Sequence, residues 1–395
     1  MASTKQLFFA NLAQTTDFPL ALEMDRAEGV TIWDTEGKPY IDLISGISVS
    51  NIGHRHPKVV EAIKEQVDKH MHLLVYGEYI QGPQVQLAKA ITDALGHDLS
   101  SVYLVNSGSE AIEGAMKLAK RFTGRRNIVA FDKAYHGSTQ GALSIIGEEE
   151  FRRGYRPLLP GITHIPFNSE EGFHHINEHT AAVFVETVQG EAGYHPPHQG
   201  FLQALRDRCD EVGALLVFDE IQAGFGRTGS LFAFEQEEVY PDIVTLAKGM
   251  GGGMPIGAFV SKKHIMDSLK ENPILGHITT FGGHPVSCAA SLASLQAIQE
   301  GELWKNAING EKLFRKLLVH PLIKEVRGRG YMLAVQLDTF ERVQKVIEYC
   351  LKHGVITDWF LFNDTALRLS PPLIISDEEI EMSCKVILEG IEHSK

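Results

Sequence analysis

From about residue 100 to 290 the chain repeats one pattern, in which a short continuous run of apolar and β-branched residues gives way to a helical period. The runs are SVYLVNSG, NIVAFD, AAVFVET, ALLVFDE, DIVTLAKG and GAFVS. A strand with one wet face alternates apolar and polar residues, whereas a strand covered on both faces reads as an unbroken apolar run. The pattern therefore predicts a mostly parallel sheet wrapped by helices. Upstream, GVTIWDTEGKPYIDL (Gly29 to Leu43) alternates around an EGK turn, the signal of a hairpin or meander. From His56 a helical period places Val59, Val60, Ile63 and Val67 on one face. Beyond Gly301, EKLFRKLL, RGRGYMLAVQL, FERVQKVIEYCLKHG and ALRLSPPLIISDEEIEMSCKVILEGI predict a second, smaller α+β unit. The expected class is α/β, with an N-terminal segment over 1–55 packing against the small domain, a large domain over 56–295 and a small C-terminal domain over 296–395.

Length and charge narrow the partners. The 395 residues exceed one ordinary core. With 37 Lys and Arg against 50 Asp and Glu, the net charge of -13 argues against a broad footprint for nucleic acid or an anionic membrane, so an anionic ligand must be held locally. Cys209, Cys288, Cys350 and Cys384 form no CxxC pair, which fits a reduced compartment and excludes a zinc ribbon. The opening MASTKQLFFANLAQ is too short in apolar residues for a signal peptide, and no run approaches the roughly 18 that argue for a spanning helix. A soluble, cytoplasmic chain is the expectation.

In open α/β sheets ligands sit beyond the carboxyl ends of the strands, so the residues just after each run carry the candidate chemistry. Asn106-Ser107-Gly108-Ser109 follows the first run and opens a helix, where free N–H groups and the helix dipole favour a phosphate; Ser107 or Ser109 also reads as an ordinary N-cap. Tyr135 and His136 follow NIVAF, and an aromatic ring there can stack on a planar ligand. Asp219 closes ALLVF, with Gln222 one turn on; a carboxylate in a dry pocket holds a nearby cation, such as a protonated pyridine nitrogen, in its charged state. Lys248 follows DIVTLA and opens the glycine-rich KGMGGG, where partial desolvation would make its amine a nucleophile and the glycines permit close backbone approach. A phosphate cradle, a carboxylate for a ring nitrogen, a stacking aromatic and a lysine nucleophile together describe a site for pyridoxal 5'-phosphate (PLP).

The ordered set NSGSEA, VETVQGEAG, FDEIQAGFGRTG, LAKGMGGGMPIGA, TTFGGHP, RGRG and LRLSPPL resembles the class III aminotransferases of PLP fold type I, in particular the acetylornithine, succinylornithine and ornithine aminotransferase branch, from about Gly29 to Ile380. The resemblance implies a large PLP-binding domain and a smaller α+β domain. It implies PLP carried as a Schiff base on Lys248, with Asp219 on the pyridine nitrogen, Gln222 on O3', Ser107, Gly108 and Ser109 on the phosphate, and Tyr135 stacked on the ring. It further implies that Glu186 and His136 support the cofactor side, that Glu191 and Arg368 form a gate for the carboxylate of 2-oxoglutarate or glutamate, and that Thr280 reaches the phosphate of the neighbouring subunit in a homodimer with shared active sites. The substrates implied are a small-molecule amino donor, with an ornithine-like, acylated or ω-amino chain, and a 2-oxo acid. The same fold also implies ω-amine:pyruvate transaminases and PLP-dependent aminomutases or racemases as alternatives. A binding protein without catalysis would have little need of Lys248, Asp219, Glu191 and Arg368 together.

The sequence departs from the branch at several places. Ser138 stands where HGRT has Arg, and a hydroxyl cannot offer the bidentate fork of a guanidinium to a carboxylate. Arg152, Arg153 and Arg156 are the candidates to compensate, unless the donor has no carboxylate there. Thr187 replaces a Pro, His284 an Asn, and Ile47 a Tyr of the ornithine-specific members; the last leans against free ornithine as donor. Two further motifs are discounted. GFGRTG over 224–229 matches GxGxxG but does not begin at a strand end, and HINEH over 175–179 matches a zinc-protease pattern with polar flanks and no third ligand, so no metal is expected.

Overall fold

The computed structural model describes residues 2–395. Its centre is a seven-stranded sheet with the order Ser101–Val105, Gly257–Ser261, Ile243–Leu246, Leu215–Asp219, Thr180–Glu186, Asn127–Phe131, Ile162–Ile165. Every pairing is parallel except the two made by Gly257–Ser261, which runs antiparallel to both neighbours. The continuous apolar runs are explained by the period of two along a strand. Val183, Val185, Leu216 and Phe218 enter one core, while Ala182, Phe184, Leu215 and Val217 enter another on the opposite face. Both faces are dry, so the runs stay almost wholly apolar up to the strand ends, with the buried Thr245 the polar position inside a central strand. Ile162–Ile165 was absent from the expected strands. It is one of the two edge strands, half-buried over three of its four residues, and Thr163 and His164 interrupt its apolar run.

The small unit contains a four-stranded antiparallel sheet, ordered Glu325–Arg329, Met332–Gln336, Asn363–Leu369, Asp358–Phe360. The helices Trp304–Leu317, Phe340–Lys352 and Asp377–His393 bury Phe314, Val346, Ile387 and their neighbours in one core with this sheet. Ser376 and Glu379 form a capping box at the start of the last helix. The expected hairpin is present as Thr31–Asp34 against Pro39–Asp42, and the latter strand pairs in parallel with Val355–Ile356. The N-terminal segment is thereby stitched to the C-terminal one. Helix Pro57–Lys69 starts with its proline in the first turn; Val59 is buried, whereas Val67, expected on the same inner face, is exposed.

Candidate active site

The carboxyl ends of the parallel strands and the amino end of the antiparallel one meet at a single edge, around a cavity of about 440 Å³. Helix Gly108–Thr123 starts there. Ser107 is its N-cap, with Oγ accepting from Glu110 N at 3.2 Å, and Glu110 Oε2 in turn accepts from Asn106 N and Nδ2, both at 2.8 Å. The cap and the anion site are therefore compatible: Ser107 satisfies one amide, while first-turn amides, those of Gly108 and Ser109 among them, have no intrahelical partner, and both residues line the cavity. The helix start lies tight against the sheet. A Cβ on Gly257 would stand 2.3 Å from Ser107 O.

Asp219 is the last residue of its strand and is 4% exposed. Its Oδ2 lies 2.7 Å from His136 Nδ1, and its Oδ1 accepts from Ile221 N at 3.0 Å. Burial opposes a charge on His136, but the hydrogen bond and the field of Asp219 outweigh it and raise the imidazole pKa. Glu186 ends the adjacent strand, in register with Asp219, and accepts from Tyr135 N at 3.1 Å and Gly190 N at 3.0 Å. Burial pushes its carboxyl up to about 7. Gln222 Oε1 and His136 Nε2 are buried without a partner among the described residues. Unpaired buried polar atoms cost roughly 1–3 kcal/mol each, so these walls suit a polar guest. Tyr135 stands half-buried at the side of the cavity.

Lys248 follows strand Ile243–Leu246 with φ +47°, in the left-handed region that costs a side-chain-bearing residue of the order of 1–2 kcal/mol. The chain turns sharply because the next residue has no side chain: a Cβ on Gly249 would meet Asn51 Nδ2 at 2.4 Å. This bend places Lys248 in the lining of the cavity that Asp219, Glu186 and Glu191 also line. Burial lowers the pKa of the amine, and the Glu191 carboxylate opposes that shift in part.

Glu191 and Arg368 meet as a bidentate pair, Nη1 to Oε1 at 3.0 Å and Nη2 to Oε2 at 2.8 Å. Burial alone would raise the Glu191 pKa, but the guanidinium holds it down at about 2. A third member was not foreseen. Asp358, directly across the strand pair from Arg368, accepts from its Nε at 2.9 Å. Burial moves this carboxyl up to about 6 against the pull of Arg368, although about a quarter of the side chain stays open. In the sequence Asp358 is one acid in a short TDWF stretch, and only the strand register reveals its partner.

Other expected residues stand outside this cluster. Ser138 is exposed; its backbone N donates to Ser109 Oγ at 3.3 Å. Ile47 is half-buried and does not line the cavity; Val49 does. Thr280 is exposed and lies outside it. Arg152 and Arg156 pair with Glu149 instead of facing the cavity, and Arg153 does not line it. An aromatic cluster unforeseen in the sequence flanks Tyr135: its ring centroid is 6.3 Å from that of Phe362, which is 5.1 Å from that of Phe151. Of the discounted motifs, GFGRTG places Arg227 in the interior, donating to Asn51 Oδ1, Ser45 Oγ and Pro371 O. HINEH belongs to no potential metal cluster among the described residues. Among those residues no helix is long and apolar enough to cross a membrane.

Comparison with known proteins agrees with this geometry. The family Aminotransferase class-III matches residues 12–391. The acetylornithine aminotransferase of Methanopyrus kandleri is 42% identical over 382 residues, 95% of each chain. The ornithine aminotransferase of Toxoplasma gondii, in whose structure PLP partly occupies the active site, superposes with a TM-score of 0.90 at 29% identity, covering 99% of this chain and 94% of that one. An (S)-enantioselective ω-transaminase from Thermomicrobium roseum superposes with a TM-score of 0.88 at 30% identity, covering 98% and 96%. The unpartnered Gln222 and His136 atoms, the free helix amides and the buried Asp219 suit PLP, which is the cofactor of the family. A cofactor-shaped edge of an α/β sheet, matched over nearly the whole chain, places this protein among the class III aminotransferases.

Proposed function

We propose that the enzyme moves a terminal amino group from an ornithine-like, acylornithine or other ω-amino donor to 2-oxoglutarate, in two half-reactions that alternate on one site. The observation that supports this reading most is the Glu191–Arg368 pair beside Lys248. Closed, it offers an incoming donor a neutralised wall. Opened, it offers a carboxylate the planar fork of a guanidinium.

When bound, PLP supplies an electrophilic carbon for the amine and a ring that takes up electron density from the substrate carbon. We assign Lys248 to its covalent attachment and to moving a proton off the substrate carbon and back; the lowered amine pKa keeps more of the base form available. Asp219, oriented by His136 and Ile221 N, is assigned to the ring nitrogen, Gln222 to O3', Tyr135 to the ring face, and Ser107, Gly108 and Ser109 to the phosphate. Glu186 fixes the Tyr135 backbone and the Gly190 turn.

The assembly proposed is a homodimer in which Thr280 reaches the neighbouring site. Its support is the face around Thr280, where Phe281, Ile278, Tyr79, Ile80 and Val85 expose apolar surface and Ile80 is 96% exposed. No nucleic acid or membrane partner is proposed, in keeping with the net charge of -13, and a cytoplasmic location accords with the four free cysteines. The division into segments 1–55, 56–295 and 296–395 is proposed on the pairing of Pro39–Asp42 with Val355–Ile356 and on the separate core of the C-terminal helices.

A second reading is favoured by Ser138: with no guanidinium there and Arg152 and Arg156 already paired, the donor would be an ω-amine with an uncharged tail and the acceptor pyruvate. The test follows the visible band of the cofactor. Terminal amines should bleach it in the donor half-reaction, N-acetylornithine slowly, and 2-oxoglutarate should restore it faster than pyruvate. Restoration by pyruvate alone selects the second reading, and a band unmoved by every amine refutes both.

A further inference from the structure

Arg368 is held on three sides, and only one of them faces the cavity. Its Nη1 and Nη2 point at Glu191, which lines the cavity. Its other edge is tied to the small-unit sheet: Nε donates to Asp358 Oδ1 at 2.9 Å, and Nη2 also donates to Trp359 O at 3.2 Å. The guanidinium carbon lies 4.5 Å from the centroid of the Phe360 ring. Asp358 and Arg368 are cross-strand register partners, so their approach is fixed by the sheet ladder. Glu191, by contrast, sits in a loop outside the named strands and helices, between Gly190 and Gly193, and apart from the guanidinium its carboxylate accepts only from one backbone amide, Leu361 N at 3.1 Å. A guanidinium held by its rear edge and ring face cannot follow Glu191 when the pair opens.

We propose that Asp358 is the positioning residue of the gate: it keeps the guanidinium of Arg368 stationary and aimed at the cavity, so that Glu191 alone moves and the carboxylate of a dicarboxylic 2-oxo acid takes its place on Nη1 and Nη2. The proposal rests on the reading of Arg368 as the acceptor-binding residue. It adds a division of labour, because one carboxylate is a latch exchanged for substrate and the other is a brace retained throughout. A long flexible side chain loses rotamer freedom on every binding event unless it is already fixed, and Asp358 meets that cost in the fold. Because the brace also half-neutralises the guanidinium, the acceptor and the product amino acid are held reversibly.

The experiment uses purified PLP-loaded enzyme, with the donor and 2-oxoglutarate half-reactions measured separately for the wild type, Asp358→Ala and Asp358→Asn. Loss of the brace should raise the KM for 2-oxoglutarate by about tenfold or more in D358A, with the donor half-reaction retained, since the acceptor that fixes Nε of Arg368 is gone. D358N should recover most of the loss, because an amide oxygen still accepts from Nε. Should D358A not be recovered as folded holoenzyme, Asp358→Ser, too short to reach Nε, carries the same expectation. The proposal is overturned by an unchanged KM in D358A or D358S, by equal losses in both half-reactions, by a D358N as impaired as D358A, or by failure of both shortened variants to fold while D358N folds, which would make Asp358 a brace of the sheet only. A wild type that uses no dicarboxylic 2-oxo acid would instead defeat the reading of Arg368 on which this rests.

Discussion

Two buried carboxylates line the same cavity and are held in opposite ways. Asp219 ends a central strand, with a backbone amide on one oxygen and a buried imidazole on the other. Glu191 lies in a loop between two glycines and is held chiefly by a guanidinium from the small unit. Moving Asp219 would require breaking the sheet, whereas moving the Glu191 side chain requires that another carboxylate replace it on Arg368 and that it give up one backbone amide, Leu361 N, 3.1 Å from its Oε2. The contrast teaches that burial and a short ion pair do not by themselves define a role: the element carrying the acid decides whether it anchors or yields.

If Asp219 is the fixed anchor, Asp219→Ala should weaken PLP binding and cost roughly a hundredfold to a thousandfold in turnover, in both half-reactions alike; steady-state rates at saturating PLP check this. Arg368→Ala should divide the two halves of the site. The acceptor half-reaction should fall by about a hundredfold while the donor half-reaction is kept, because only the acceptor's carboxylate uses the fork. Equal losses would erase the distinction between anchor and latch.

A pH experiment sharpens the anchored side. Glu186, in register with Asp219, has its folded pKa raised to about 7 by burial. Its contribution to stability is therefore fully present below the ordinary carboxylate pKa and is lost as pH rises through about 7. Relative to Glu186→Gln, the apo wild type should lose of order 2 kcal/mol between about pH 5 and pH 7.5, with no further change above, as read by urea unfolding. The smallest effect concerns the rim. Ser138→Arg should raise activity on N-acetylornithine by about tenfold by restoring a fork for a carboxylate, measured as kcat/KM.

The anchored half of the site was legible in the sequence and the yielding half only partly so. Asp219, Lys248 and the Asn106–Ser109 turn each follow an apolar run, and a sheet that is dry on both faces leaves the strand end as the first place for a polar side chain. Their convergence follows from the parallel order, which one antiparallel strand, Gly257–Ser261, interrupts without moving the edge. The sequence places His136 near the cofactor, but its bond to Asp219 spans 83 positions and no local pattern announces it. Asp358 and the Phe151–Phe362 contact were missed for the same reason: the first depends on strand register in the small unit and the second on a contact between residues far apart in the chain, and neither leaves a local pattern. Thr280 was singled out only through family resemblance; it is exposed in the single chain.

The most direct test of the central claim is borohydride reduction of PLP-saturated protein followed by peptide mapping. The account predicts one reduced adduct, on the peptide containing Lys248. An adduct on a different lysine, or none from fully loaded protein, would contradict it.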